Sequence, residues 1–91
     1  TRAIIAVDQF GVPADLPALR ALASDIDLIE DAACAIGSTL HGVPCGVLGD
    51  VGTYSFHPRK VVTTGEGGMV LTADDARADR LRFAHGLCLC A

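Results

Sequence analysis

The chain is 91 residues long, 51% hydrophobic and 4% aromatic, with a formal net charge of −4. That length is short for a complete enzyme domain but sufficient for a modest α/β core of Ala, Val, Leu and Ile. Mild acidity without a basic stripe argues against a nucleic-acid partner. No apolar run reaches the length of a membrane span, and none reads as a signal peptide.

Residues 3–7 (Ala3-Ile4-Ile5-Ala6-Val7) form a continuous apolar run of strand length, as in a parallel strand covered on both faces. Residues 8–13 contain Gly11 and Pro13 and read as a loop. Residues 15–24 read as a helix whose inward stripe is Leu16, Leu19, Leu22 and Ala23, with Pro17 tolerated in the first turn. Residues 27–30 form a second strand that delivers Asp31 to its carboxyl end. Residues 32–35 begin a short helix that Gly37 ends, and residues 39–44 read as a hairpin or loop turning at Gly42. Residues 50–56 form a strand leading into His57-Pro58-Arg59-Lys60. Residues 65–68 make a tight turn, 69–72 return as a strand, and 74–84 read as a helix capped by Thr72 or Asp74, with Leu81 and Phe83 turned inward.

Strands alternating with helices predict an α/β fold with a mainly parallel, doubly wound sheet flanked by helices. Ligands in such sheets gather at the carboxyl ends of strands. Asp31 and Lys60 both follow strands. The start at Thr1, directly before an apolar strand, and the uncapped end at Ala91 read as one piece of a larger protein.

The cysteines are Cys34, Cys45, Cys88 and Cys90. They form no CxxC pair, and His41 and His85 lack zinc-finger spacing, so no metal site is expected. Buried free thiols in a reducing compartment are the favoured reading, and a Cys34–Cys45 disulfide stays open.

Lys60 is the only lysine in the chain. It follows an apolar strand and precedes Gly65-Glu66-Gly67-Gly68, a setting in which an amine can be desolvated and attack a carbonyl. An aldehyde cofactor such as pyridoxal phosphate also needs an anion beside its ring nitrogen and donors for its phosphate. Asp31, in the small-residue context Asp31-Ala32-Ala33, suits the anion role, although by spacing alone a helix N-cap is the favoured reading. Ser55 suits the phosphate, although an ordinary strand-end serine is commoner. His57 and Arg59 read by default as a structural histidine and a solvated arginine. The glycine cluster is neither a Walker A loop nor GxGxxG, because the lysine precedes the glycines. It reads as positive-φ backbone beside the lysine, with Glu66 needing a partner if buried.

The order of these signals is more specific than any one of them. The runs IEDAACAIG, GDVGTYSF and SFHPRK-VVTTGEGGM resemble the DegT/DnrJ/EryC1/StrS family of sugar aminotransferases over nearly the whole chain. The resemblance implies the large pyridoxal-phosphate-binding domain of an aspartate-aminotransferase-like, fold-type-I enzyme. Its earlier part would precede Thr1, and a smaller C-terminal domain would follow Ala91. It makes Lys60 the residue that forms the Schiff base, Asp31 the partner of the pyridine nitrogen, and Ser55 a ligand of the phosphate. Cys34 falls where many members carry Gln or His near the ring hydroxyl, and a thiol is a weaker donor there. The implied reaction is amino transfer from glutamate or glutamine to a keto group of a nucleotide-linked sugar, in antibiotic or cell-surface sugar synthesis. The implied enzyme is a cytoplasmic homodimer with shared active sites. A dehydratase with the same cofactor is the alternative within the family, but such members typically carry histidine in place of the lysine. A non-catalytic module is the alternative outside it. The closing residues 87–91 have no counterpart in the pattern.

Overall fold

The computed structural model describes residues 1–89, and of residues 86–89 the backbone only. The thiols of Cys88 and Cys90 therefore lie outside what is described. The elements are β1 (Ala3–Val7), α1 (Leu16–Leu22), β2 (Asp27–Asp31), β3 (Thr39–Leu40), β4 (Val43–Pro44), β5 (Val51–Ser55), β6 (Gly68–Leu71) and α2 (Asp75–Leu89). A four-stranded sheet runs in the order β1-β2-β5-β6, and β3 and β4 make a separate hairpin. The sheet is mainly parallel, as the sequence predicts: β1 pairs β2, and β2 pairs β5, in parallel. β6 returns antiparallel on β5, with Ser55 opposite Gly68. The carboxyl ends of β1, β2 and β5 and the amino end of β6 thus share one edge of the sheet.

β1 departs from the expected two-sided burial. Ala6 is buried against Leu16 and Leu28, while Ile5 and Val7 on the other face are 65% and 50% exposed. As the end strand, β1 also pairs on one side only among the described residues. α1 supplies the cover for the buried face. Asp15 caps it by accepting from Ala18 N at 3.0 Å, and Pro17 sits in its first turn, where no helical N–H is lost. Leu16 and Leu19 pack inward, but Leu22 is 86% exposed because the helix ends there, two residues before the predicted stop. The Arg20 guanidinium reaches past that end to Ile26 O at 3.0 Å and pairs with Asp50, which accepts from Leu28 N at 2.7 Å. One carboxylate thereby ties α1 to the starts of β2 and β5.

Residues 32–35 form turns rather than the predicted helix. Ala35 N donates to Ala32 O and Ser38 N to Ala35 O, each at 2.9 Å, without continuing into a helical ladder. Gly37 in the left-handed region (φ 88°) closes the second turn. Ala32, Ala35 and Cys45 make a second small core beneath the β3–β4 hairpin. α2 begins where Asp74 accepts from Arg77 N at 2.6 Å, so Asp74 rather than Thr72 is the cap. Leu81 is half-buried, but Phe83, expected inside, is 71% exposed. No helix among the described residues is long and apolar enough to cross a membrane.

Candidate active site

The shared sheet edge carries a cavity of about 260 Å³ lined by Phe10, Cys34, Ser55, Arg59, Lys60 and Val61, among others. This lies just below the range of ligand pockets, about 300–1,000 Å³. Three of the four residues singled out in the sequence meet here: Cys34, Ser55 and Lys60.

Lys60 reaches the cavity because the segment after β5 folds back onto Phe56. Phe56 N donates to Gly67 O at 2.9 Å, while Thr63 Oγ1 and Thr64 N both donate to Phe56 O. Inside this closed loop, a turn over residues 57–60 is set by Lys60 N donating to His57 O at 2.9 Å. His57 is structural in that turn, its Nδ1 accepting from Arg59 N at 3.2 Å. Gly65 and Gly67 hold φ of 87° and 148°, as the glycine cluster predicts. A Cβ on Gly67 would sit 2.9 Å from Thr64 Oγ1. Glu66 is exposed and therefore needs no buried partner.

Lys60 is half-buried as a residue, and its Nζ donates to Cys34 Sγ at 2.9 Å. Cys34 is thus an exposed thiol at the cavity rather than a buried one, and both Cys34 and Cys45 are free, so the open disulfide reading falls. Ser55 Oγ accepts from His57 N at 3.3 Å at the end of β5, leaving its hydroxyl proton available to a ligand. Asp31 ends β2 but does not itself line the cavity. Its Oδ1 accepts from Ala33 N at 3.1 Å, a local turn that replaces the helix cap and presents Ala33 to the cavity.

A second cluster beneath the edge escaped the sequence reading. Asp8 and Glu30 are fully buried, and one atom from each of Asp8, Glu30 and Cys45 lies within 4.8 Å of the others. Glu30 accepts from Gly46 N at 2.7 Å and Leu48 N at 2.8 Å, and Asp8 Oδ1 accepts from Ala14 N at 2.9 Å. Asp8 Oδ2 has no partner among the described residues. Burial pushes the Glu30 carboxyl above its ordinary range, the two amides pull it down, and the Asp8 carboxylate pushes it up again. Burial, with Asp8 and Glu30 nearby, lifts the Cys45 thiol to about 11. The signal available in the sequence was a pair of acids in or directly after apolar strands, where charge is costly.

A family model described as the DegT/DnrJ/EryC1/StrS aminotransferase family matches residues 1–89. The chain belongs to that family. It is 40% identical over 91 residues to a dTDP-4-dehydro-2,3,6-trideoxy-D-glucose 4-aminotransferase of Saccharopolyspora spinosa, covering 96% of this chain and 24% of that relative. It superposes on DesI, solved in the presence of its TDP-sugar product, with a TM-score of 0.90 and 40% identity over 94% of this chain and 22% of that one. It matches an E. coli GDP-4-keto-6-deoxy-D-mannose-3-dehydratase with bound hydrated PLP at a TM-score of 0.78 and 31% identity, covering 82% of this chain and 20% of that one. The chain spans about a quarter of the length of the curated relatives it matches. Its mainly parallel α/β architecture is thus one that family members share.

Proposed function

We propose that this chain is part of the large cofactor-binding domain of an enzyme that transfers an amino group from glutamate or glutamine to a keto group of a nucleotide-linked sugar. The observation that carries the reading is the convergence of the sole lysine, Lys60, with Ser55 and Cys34 on one cavity, with Asp31 ending the neighbouring strand. The residues fit pyridoxal phosphate by their chemistry: an amine for an aldehyde, a hydroxyl for a phosphate, a carboxylate for a pyridine nitrogen, and small Ala33 where a flat ring would lie. When bound, that cofactor supplies an aldehyde that captures amines and a ring that accepts the electron pair released by proton removal.

Lys60 supplies the amine that holds the aldehyde and, once released, moves a proton at Nζ as general base and then acid. Asp31, which ends β2 beside the cavity without lining it, would hold the ring nitrogen's proton through Oδ2, its Oδ1 being taken by Ala33 N. Ser55 Oγ donates to a phosphate oxygen. Arg59 lines the same cavity and adds positive charge at its rim. The nucleotide-linked substrate follows from relatives whose names carry dTDP-, TDP- and GDP-linked sugars. Lysine at position 60 favours amino transfer over dehydration. A homodimer with shared active sites, acting in the cytoplasm, completes the reading.

The test is the visible absorbance that develops when pyridoxal phosphate is added to the whole protein, followed by turnover with glutamate. Lys60→Ala should lose both, whereas Ser55→Ala should keep the band and weaken cofactor affinity about tenfold, the equivalent of one hydrogen bond to a charged group, about 1.5 kcal/mol. Glutamate-dependent amino transfer by Lys60→Ala at the wild-type rate would overturn the assignment.

A further inference from the structure

We propose that Cys34 and Lys60 form a reversible redox latch, a covalent sulfur–nitrogen crosslink that oxidation by a hydroperoxide installs and a thiol removes. The two atoms already touch at 2.9 Å, although 26 residues separate them along the chain. One sits in the turn after β2 and the other in the closed loop after β5, so no segment has to unfold to bring them together. The cavity opens onto both, and Cys34 is exposed, so a small oxidant has access. Cys45, the other free thiol described, is buried and kept protonated near neutral pH, whereas Lys60 Nζ is in contact with Cys34 Sγ, so among the described residues Lys60 is the nucleophile placed to meet an oxidised Cys34.

The chemistry balances in two steps. The Cys34 thiolate attacks one oxygen of hydrogen peroxide, the O–O bond breaks, and the departing hydroxide takes a proton from the adjacent Lys60 ammonium and leaves as water; sulfur loses two electrons, the peroxide gains them, and the products are a sulfenic acid and a neutral Lys60 amine. The lone pair of the neutral Lys60 amine then attacks that sulfur. The N–S bond forms, the S–O bond breaks, and the hydroxide departs as water with a proton from the amine. The product is two hydrogens lighter than the reduced pair. A small thiol reverses it by attacking sulfur, which frees the amine and leaves a mixed disulfide that a second thiol resolves. The crosslink needs only this pair. Its consequence, that the amine is withheld from cofactor, rests on the role proposed above for Lys60.

The experiment treats the cofactor-free whole protein with hydrogen peroxide, digests it with trypsin and reads masses. The latch predicts a species joining residues 21–59 to residues 60–77, lighter by two hydrogens than the sum, because a blocked Lys60 resists cleavage. It should disappear on dithiothreitol treatment and be missing from Cys34→Ser and Lys60→Arg. Added pyridoxal phosphate should then develop less visible absorbance in oxidised protein, with recovery after reduction. Cys34 recovered only as sulfinic or sulfonic acid with Lys60 still cleaved would overturn the proposal, as would the same crosslink made through Cys45. A crosslink in a protein that never develops cofactor absorbance would leave the latch standing and sink the aminotransferase reading instead.

Discussion

Replacing Asp8 with asparagine should make the protein more stable at neutral pH, against the usual direction of a change at a fully buried polar site. Both Asp8 and Glu30 are fully buried, Asp8 Oδ2 has no donor among the described residues, and Asp8 is one of the neighbours that push the Glu30 carboxyl upward. The asparagine side chain would keep its carbonyl oxygen for Ala14 N and turn an amide N–H toward Glu30. Glu30 could then stay ionised on three donors, the new one and the amides of Gly46 and Leu48. One repaired buried acceptor is worth about 1–3 kcal/mol, so a gain of about 1–2 kcal/mol at pH 7–8 is expected after modest losses in repacking. The pH dependence identifies the cause. The Glu30 carboxyl is raised above 4.5 in the fold, so its protonated form is the one folding favours. Its contribution is fully present below pH 4.5 and is lost as pH rises toward the folded value, by up to about 1.4 kcal/mol per pH unit within that window. Urea denaturation of wild type and Asp8→Asn at several pH values from 4 upward should show that slope in the wild type and a flatter one in the variant. Equal slopes, or a variant less stable at every pH, would refute the reasoning.

Asp50 titrates in the opposite sense. Burial pushes its carboxyl up, but the Leu28 amide, the Arg20 guanidinium and then Arg77 outweigh that and hold it below 3.8. Its stabilisation is therefore present above pH 3.8 and lost as pH falls through the lowered folded value, and Asp50→Asn should lose this acid-side dependence in the same denaturation series. Leu28→Ala, at a fully buried side chain packed with Ala6 and Leu16, should cost about 2–5 kcal/mol by thermal or urea unfolding. Gly52→Ala should abolish folding or force β5 to shift, because its Cβ would fall on the Gly46 carbonyl oxygen, a backbone atom; wild-type soluble yield and circular dichroism would refute this.

The residues of the candidate site were legible in the sequence because they lie close together along the chain. A lone lysine after a strand, a serine five residues before it and glycines just after are close along the chain, and in the fold Ser55 and Lys60 line one cavity while Gly65 and Gly67 adopt positive φ. The apolar runs likewise found every strand of the main sheet, although the burial on both faces expected of β1 did not hold. Periodicity failed where burial depends on what lies across from an element. Leu22 and Phe83 fit an apolar stripe but face outward, because a stripe states which residues share a helix face and not where neighbouring structure covers it. Residues 32–35 have small, helix-favouring side chains, yet Ala32 N is taken by Thr53 O and Asp31 by the Ala33 amide, so sheet and turn bonds win over propensity.

What the chain dictates alone is therefore the order of its elements, the parallel preference of its apolar strands and the place of its one lysine directly after a strand. Which residues become neighbours was decided in three dimensions. The parallel register of β1, β2 and β5 stacks their carboxyl ends, and that stacking sets Asp8 beside Glu30 and Cys34 beside Lys60. Those contacts span 22 and 26 residues, and side-chain spacing carries no information over such distances, because only the packing of the sheet fixes which loops meet at its edge.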